Sequence, residues 1–266
     1  MLAVGLDIGS TTTKAAVTDG DAILGHAVTA TGANCRRAVE VALREALAAG
    51  GRSAEEIGYT LATGYGRRLV EADTTLSEIT ANAAGARFLT RDATPIRTVI
   101  DIGGQDSKVI AVDADGIVQN FAMNDKCAAG TGRFLEVMSR ILEVDLDQLG
   151  LLSLQSSERI PISSVCTVFA ETEVISLLAD GRRAPDIIAG VHRSIAKRVG
   201  DLARGVGIAE PVFFDGGPAL NVGMRRALEE ELSVRLVVPE FPQVATAIGA
   251  AVLAAGRMAR GPQAAP

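Results

Sequence analysis

The sequence predicts an α/β protein made of two related halves, and two observations carry that expectation. Apolar, strand-like runs ending in Asp-x-Gly alternate along the chain with stretches whose apolar residues recur at helical spacing. One strand–turn–strand unit also occurs twice: Asp7 is followed by Lys14 and, 94 positions on, Asp101 is followed by Lys108, each pair seven residues apart.

The elements follow in order. Ala3 to Gly9 reads as a buried strand, and after a short polar turn the β-rich Ala15-Ala16-Val17 completes a hairpin. Arg36 to Ala48 places Val39, Leu43 and Leu47 at helical spacing and is closed by Gly50-Gly51. Ser53 and Glu56 have the spacing of a capping box. Thr98 to Gly104 is a second buried strand, continued by Val109 to Val112. Phe134, Leu135, Met138, Ile141 and Leu142 form one stripe, which makes Arg133 to Leu142 an amphipathic helix. A further helix is expected from about Ala170 to Ala179, ending at Gly181, and Val212 to Asp215 is a strand running into Gly216-Gly217-Pro218. Ala245 to Ala255 is an Ala-rich terminal helix, with Gly261 to Pro266 expected to fray.

Composition narrows the function classes. The 266 residues are 48% hydrophobic and 22% charged, the balance of a soluble globular protein. A formal charge of −6 with 3% aromatic residues argues against nucleic-acid binding, which uses basic stripes and stacking rings. No apolar run reaches membrane-spanning length and the N-terminus lacks a signal-peptide pattern, so a cytoplasmic protein that does not contact membrane is expected. The three cysteines, Cys35, Cys127 and Cys166, cannot build a disulfide framework, nor complete the four thiolate ligands of a cubane iron–sulfur cluster within one chain. They leave a shared site open. His26 and His192 form no metal-spacing motif.

Three motifs carry chemistry. In Asp7-Ile8-Gly9-Ser10-Thr11-Thr12-Thr13-Lys14, a Gly turn lets backbone N–H groups and hydroxyls surround phosphate oxygens, and Lys14 adds a point charge. Asp7 is placed to hold a hydrated Mg²⁺ or orient water. The bland alternative is a structural hairpin with an Asp cap. Asp101-Ile102-Gly103-Gly104-Gln105-Asp106-Ser107-Lys108 offers an equivalent cradle. At Asp215-Gly216-Gly217 a flat adenine can lie on bare backbone, because a Cβ there would hold the ligand off. The third motif is Asn124-Asp125-Lys126-Cys127-Ala128-Ala129-Gly130-Thr131-Gly132-Arg133, together with Ser163-Ser164-Val165-Cys166-Thr167. Each Cys precedes an expected helix, whose positive end favours the thiolate form that binds metals. Most free cysteines are small buried hydrophobes, and Cys35 is assigned to that class. His192, Arg67-Arg68, Arg182-Arg183 and Glu229-Glu230-Glu231 read as helix-surface or solvated residues.

The two hairpins with Asp215-Gly216-Gly217 resemble the acetate and sugar kinase, heat-shock chaperone and actin superfamily. Within it, Asp101 to Lys108, Asn124 to Glu136 and Cys166-Thr-Val-Phe-Ala-Glu-Thr-Glu173 look like the ATP-dependent activators of 2-hydroxyacyl-CoA dehydratases, a family that includes the ATPase subunits of benzoyl-CoA reductase. The likeness runs from about Leu2 to Gly256. It implies an actin-like ATPase fold with a nucleotide cleft, with one subdomain at 1–95 joined by the helix at about 245–256, and a second at 96–244 carrying the cluster cysteines. It implies a homodimer that shares one 4Fe–4S cluster through Cys127 and Cys166 of each chain. ATP or ADP with Mg²⁺ would sit in each protomer: Ser10, Thr11, Thr12, Thr13, Lys14, Gly103, Gly104 and Gln105 at the phosphates, Gly216 and Gly217 near adenosine, and Gln243 close by. Asp7, Asp101 and Gln105 are the catalytic candidates. The resemblance further implies that ATP hydrolysis drives one low-potential electron from a ferredoxin or flavodoxin donor to a partner iron–sulfur dehydratase or reductase. Raising one electron by about 0.3 V costs about 7 kcal/mol, which is the scale of a nucleotide-hydrolysis step.

Three residues depart from the family pattern: Pro218 replaces a small aliphatic residue, Asn82 stands where many members have His, and Thr246 replaces a Gly. The alternatives are a benzoyl-CoA reductase ATPase subunit, the reductase of a related double-cluster protein, a small-molecule kinase or an actin-like scaffold. A kinase needs an acceptor-hydroxyl base at the second loop, a role for which Gln105 is unsuited. A scaffold would be short at this length.

Overall fold

Seven consecutive buried residues, Leu2–Ile8, form β1, the middle strand of the first sheet. The computed structural model describes residues 1–163 and 166–260; Ser164, Val165 and the expected frayed end at Gly261 to Pro266 lie outside them. After β1 come β2 (Thr12–Thr18), β3 (Ile23–Ala30), α1 (Cys35–Ala49), β4 (Ile57–Thr63), β5 (Thr74–Thr75) and α2 (Glu78–Leu89). The strand order is β3-β2-β1-β4-β5, with β1 antiparallel to β2 and parallel to β4. Leu2, Val4, Leu6 and Ile8 face Ala42, Ala46 and Leu47 of α1. Asn34 caps α1 by accepting from the Arg37 N–H, and Ser53 with Glu56 forms the expected capping box over the turn Ala54–Glu56.

The second sheet repeats the first. It comprises β6 (Thr98–Ile102), β7 (Ser107–Val112) and β8 (Val118–Asn124). After these come α3 (Gly132–Ile141), α4 (Leu149–Ser153), α5 (Thr167–Ala179) and α6 (Ala184–Val206), then β9 (Val212–Asp215), α7 (Val222–Leu232) and β10 (Leu236–Val237). The order β10-β9-β6-β7-β8, with β6 antiparallel to β7 and parallel to β9, matches the first sheet strand for strand. The register matches as well: Asp7 is opposite Lys14, and Asp101 is opposite Lys108.

Finally α8 (Ala245–Arg260) returns to the first sheet, where Ala250 and Ala254 pack with Ala3 and Leu61. A side chain at Gly5 would overlap the Ala247 carbonyl, so the strand–helix approach depends on that glycine. By contacts the chain divides into two units, one of Met1–Ile96, Val112–Gln119 and the C-terminal stretch from Pro239, the other of Arg97–Ala111 and Asn120–Val238.

Three expectations are corrected. α5 starts at Thr167 rather than near Ala170, so Cys166 is its N-cap residue. His192 is not a helix-surface residue: it is 1% exposed on the 23-residue α6. Its position four residues after Ile188 and three before Ile195 puts it on the helix's apolar stripe. Arg67 is not simply solvated, since its guanidinium donates to the Gly64 carbonyl at 2.9 Å. Among the described residues, no helix is long and apolar enough to cross a membrane.

Candidate functional site

In the first unit the β1–β2 turn is held tightly. Gly9 N–H donates to the Thr12 carbonyl (3.1 Å), Thr31 N–H to that of Thr11 (3.0 Å), and the Thr31 hydroxyl to that of Gly9 (2.7 Å). The Thr13 hydroxyl is fully buried, 2.9 Å from that of Thr31. Ser10 is exposed and Thr11 and Thr12 are half-buried; the Thr11 hydroxyl oxygen is itself buried with no hydrogen-bond partner among the described residues. Lys14 Nζ lies 3.0 Å from Asp7 Oδ2. Gly64, at φ +83°, closes over this pair: a Cβ there would stand 2.6 Å from Asp7 Oδ1. Sequence reasoning passed over Gly64 and Thr31. The Gly64-Tyr65-Gly66 spacing at the end of a strand was the available signal. Gln243 sits half-buried in the 3₁₀ turn Pro242–Val244, which packs on β2 and β3.

In the second unit Lys108, 4% exposed, bridges two carboxylates, Asp101 Oδ2 at 3.0 Å and Asp106 Oδ1 at 2.7 Å. Gly103 N–H donates to the Asp106 carbonyl (2.9 Å), leaving Gly103 and Gly104 half-buried and Gln105 exposed at the tip. Ser107 has a buried hydroxyl with no hydrogen-bond partner among the described residues. β9 delivers Asp215 and Gly216 beside β6. Gly216 has φ +88°, and a Cβ on it would overlap the Ile102 carbonyl, so glycine is required there by the protein's own backbone. Gly217 opens a 3₁₀ turn to Leu220 in which Pro218 is buried.

The same unit carries Cys127 and Cys166, both half-buried; Cys35, the first residue of α1, packs half-buried against the core of the first unit. Asn124 Nδ2 donates to the Cys127 carbonyl (2.8 Å) and the Thr131 hydroxyl to that of Ala128 (2.8 Å). The chain then enters α3, where Gly132 and Arg133 donate their N–H groups to the carbonyls of Gly103 (2.8 Å) and Gly104 (2.9 Å). Helices α3 and α5 pack together. Cys166 N-caps α5, and the hydroxyl of the adjacent Thr167 is buried without a partner among the described residues. The outer side of α5 exposes Val168 and Phe169 at 65% each and Ile175 at 52%, alongside the polar Thr172 and Ser176. Among the described residues no three His, Cys, Asp or Glu side chains cluster as a metal site would require.

This pattern of twin Asp–Gly–Lys hairpins with two cysteines ahead of helices matches the model of the BadF/BadG/BcrA/BcrD ATPase family over residues 4–254. The chain belongs to that family. Family relatives include the (R)-2-hydroxyglutaryl-CoA dehydratase activating ATPase of Acidaminococcus fermentans, 46% identical over 97% of this chain and 98% of its own. A benzoyl-CoA reductase subunit of Thauera aromatica is 36% identical over 78% of this chain and 74% of its own. The solved activator of the 2-hydroxyisocaproyl-CoA dehydratase from Clostridium difficile, with bound ADPNP, superposes with a TM-score of 0.92 at 42% identity, covering 98% and 96% of the two chains. A ROK-family glucokinase of Streptomyces griseus, at 16% identity, TM-score 0.58 and coverages of 97% and 100%, shares the actin-like fold alone.

Proposed function

We propose that this ATPase-family chain is the ATP-hydrolysing electron carrier that activates a partner 2-hydroxyacyl-CoA dehydratase, working as a homodimer. The observation that carries the reading is the setting of Cys166, at the start of α5 beside an exposed apolar face. A thiol from a pair that makes half of a four-thiolate site, next to a surface that wants a partner, fits a site completed by a second copy.

The donor chemistry suits a 4Fe–4S cluster. Cys127 and Cys166 are free thiols in one unit, two per chain, and Thr167 supplies a hydroxyl without a partner among the described residues. When bound, the cluster supplies one-electron capacity at low potential. Ser10 to Lys14 and Gly103 to Gln105 bind phosphates, each in its own unit, and the unpartnered hydroxyls of Thr11 and Ser107 are groups a ligand oxygen would satisfy. Gly216 and Gly217 accept the adenosine, with Gln243 close to the nucleotide. Asp7 would hold a hydrated Mg²⁺, which would supply charge neutralisation at the phosphates; Asp101 and Gln105 orient the attacking water, so that ATP and water become ADP and phosphate. Lys14 and Lys108 pair with Asp7 and Asp101 at 3.0 Å each and fix the two carboxylates in direction.

Likeness to the Thauera benzoyl-CoA reductase chain supports a second reading, a stable component of a larger reductase. Purification separates the two, as a free homodimer or inside a larger complex. Anaerobic purification with iron counting and EPR of the dithionite-reduced protein tests both against a kinase or scaffold: about four iron atoms per two chains are expected. Iron-free, colourless protein, or Cys166→Ser protein with a full cluster and normal partner reduction, would overturn the reading.

A further inference from the structure

The first N–H groups of any α-helix lack intrahelical acceptors and are normally capped by a side chain. α3 departs from this. Its N-cap residue Thr131 makes no capping bond, and its hydroxyl turns back to Ala128. The acceptors are instead the carbonyls of Gly103 and Gly104. A trans peptide points its C=O and N–H in opposite directions. The peptide whose C=O is Gly103's carries the Gly104 N–H, and the peptide whose C=O is Gly104's carries the Gln105 N–H. Holding both carbonyls on α3 therefore aims the Gly104 and Gln105 N–H groups away from the helix, the presentation an anion cradle needs.

Gly132 is where the segments meet. A Cβ on it would stand 3.1 Å from the Gly103 carbonyl oxygen, 3.5 Å from Gly104 Cα and 3.6 Å from Pro218 Cγ. Toward Cys127 the chain is equally constrained. Gly130, at φ +118°, lies on the stem of Arg198 from α6, where a Cβ would come within 2.6 Å of Cδ, and Asn124 holds the Cys127 carbonyl. The six residues from Cys127 to Gly132 are thus fastened at both ends, one end being the nucleotide loop itself.

We propose that Gly132 is the positioning residue through which the Gly103–Gln105 loop sets the conformation at Cys127. When a phosphate draws the Gly104 and Gln105 N–H groups, their peptide planes tilt as rigid units, and the carbonyls on the far edge carry the start of α3 with them. The inference rests on the reading that this loop binds phosphate. Its test uses the full-length, cluster-free chain with Cys35→Ala and Cys166→Ala, so that Cys127 is the one thiol. The rate of its alkylation by iodoacetamide is followed with ADP, with ADPNP and without nucleotide, while ADPNP binding is measured by calorimetry.

The expected result is an alkylation rate that differs about fivefold or more between ADPNP and the nucleotide-free protein, the low end of ordinary coupling between sites. Gly132→Ala removes that difference while ADPNP still binds. Asn124→Ala, which leaves the nucleotide loop untouched, does the same by releasing the Cys127 carbonyl, and stands in if Gly132→Ala does not fold. A full nucleotide response in either folded variant, or none in the parent although ADPNP binds, overturns the inference and leaves the ATPase reading intact. Failure of the parent to bind ADPNP overturns both.

Discussion

Lys14 and Lys108 occupy equivalent places in the two sheets, yet their surroundings differ. Lys14 is 17% exposed and serves one carboxylate; Lys108 is 4% exposed and serves two. Removing one partner of a buried ion pair leaves uncompensated charge and costs about 3–5 kcal/mol. Lys108→Met is therefore expected to lower the free energy of unfolding by that much, read as a lower urea midpoint at unchanged m-value, and Lys14→Met by clearly less. Equal losses would mean that burial does not distinguish the pairs. His192 lies buried on α6. Burial, with Arg193 adding to it, pushes its pKa down to about 3 from an ordinary 6.5, and its Nε2 lies 3.2 Å from Asn221 Nδ2. The folded protein thus binds its proton less readily than the unfolded chain. Its contribution is fully present above pH 6.5 and is lost as pH falls from there toward 3. Between pH 6.5 and 5 the loss is about 2 kcal/mol. His192→Gln, which cannot titrate, should lose that much less stability than the parent over this interval. Parallel stability curves would contradict the assignment. The twin hairpins are legible in the repeated seven-residue Asp–Lys spacing; the ion pairs are not, because a lysine after a Gly turn reads equally as a phosphate ligand. The burial of His192 is not legible either, because the adjacent Arg193 and small residues around it mask the stripe that Ile188, Val191 and Ile195 define.

At the scale of elements, the closest packing lies between α2 and α8. Side chains at Gly85 and Gly249 would overlap the carbonyls of Ala245 and Ala81, so two bare backbones set the crossing. Within that interface Asn82 Nδ2 donates to Thr246 Oγ1 at 3.0 Å, buried and 164 residues apart in sequence. Both positions are expected from the sequence resemblance to differ from its usual pattern, and the fold places them in contact. Each is the other's counterpart: a polar group in this dry contact requires an acceptor, and Thr246 supplies one. A double-mutant cycle of Asn82→Ala and Thr246→Ala is expected to give a coupling of about 1 kcal/mol. Additive single effects would separate the two substitutions. The pairing was invisible in sequence because nothing local relates positions on two helices from opposite ends of the chain. Strands β1, β6 and β9 were legible as unbroken apolar runs, since they are buried on both faces. β3 and β8, mostly half-buried or exposed, carry no such run and no strand is read there from sequence.

At the scale of the whole molecule, the cysteine count and the exposed face of α5 bear on one question. Three thiols cannot complete a four-thiolate site in one chain, and the arithmetic gains its physical meaning from where two of them stand. Cys166 opens a helix whose residues Val168, Phe169 and Ile175, spaced to share one side with Thr172, remain exposed. Water contact with that much apolar surface is unfavourable, and covering it with the same face of a second copy would bring a second Cys166 to the same two-fold axis. Phe169→Glu places a charge on that face without replacing either cysteine or any residue of the nucleotide loops. The parent is expected to sediment at twice the 27.5 kDa chain mass and the variant at the chain mass itself. ADPNP binding should persist in the variant, because each chain keeps its own phosphate loops. Iron should fall from about four per two chains to near none, since a lone pair of thiolates cannot hold a cubane. A monomeric variant that retained its full iron would break the link between assembly and cluster. A variant that stayed dimeric would move the interface away from α5.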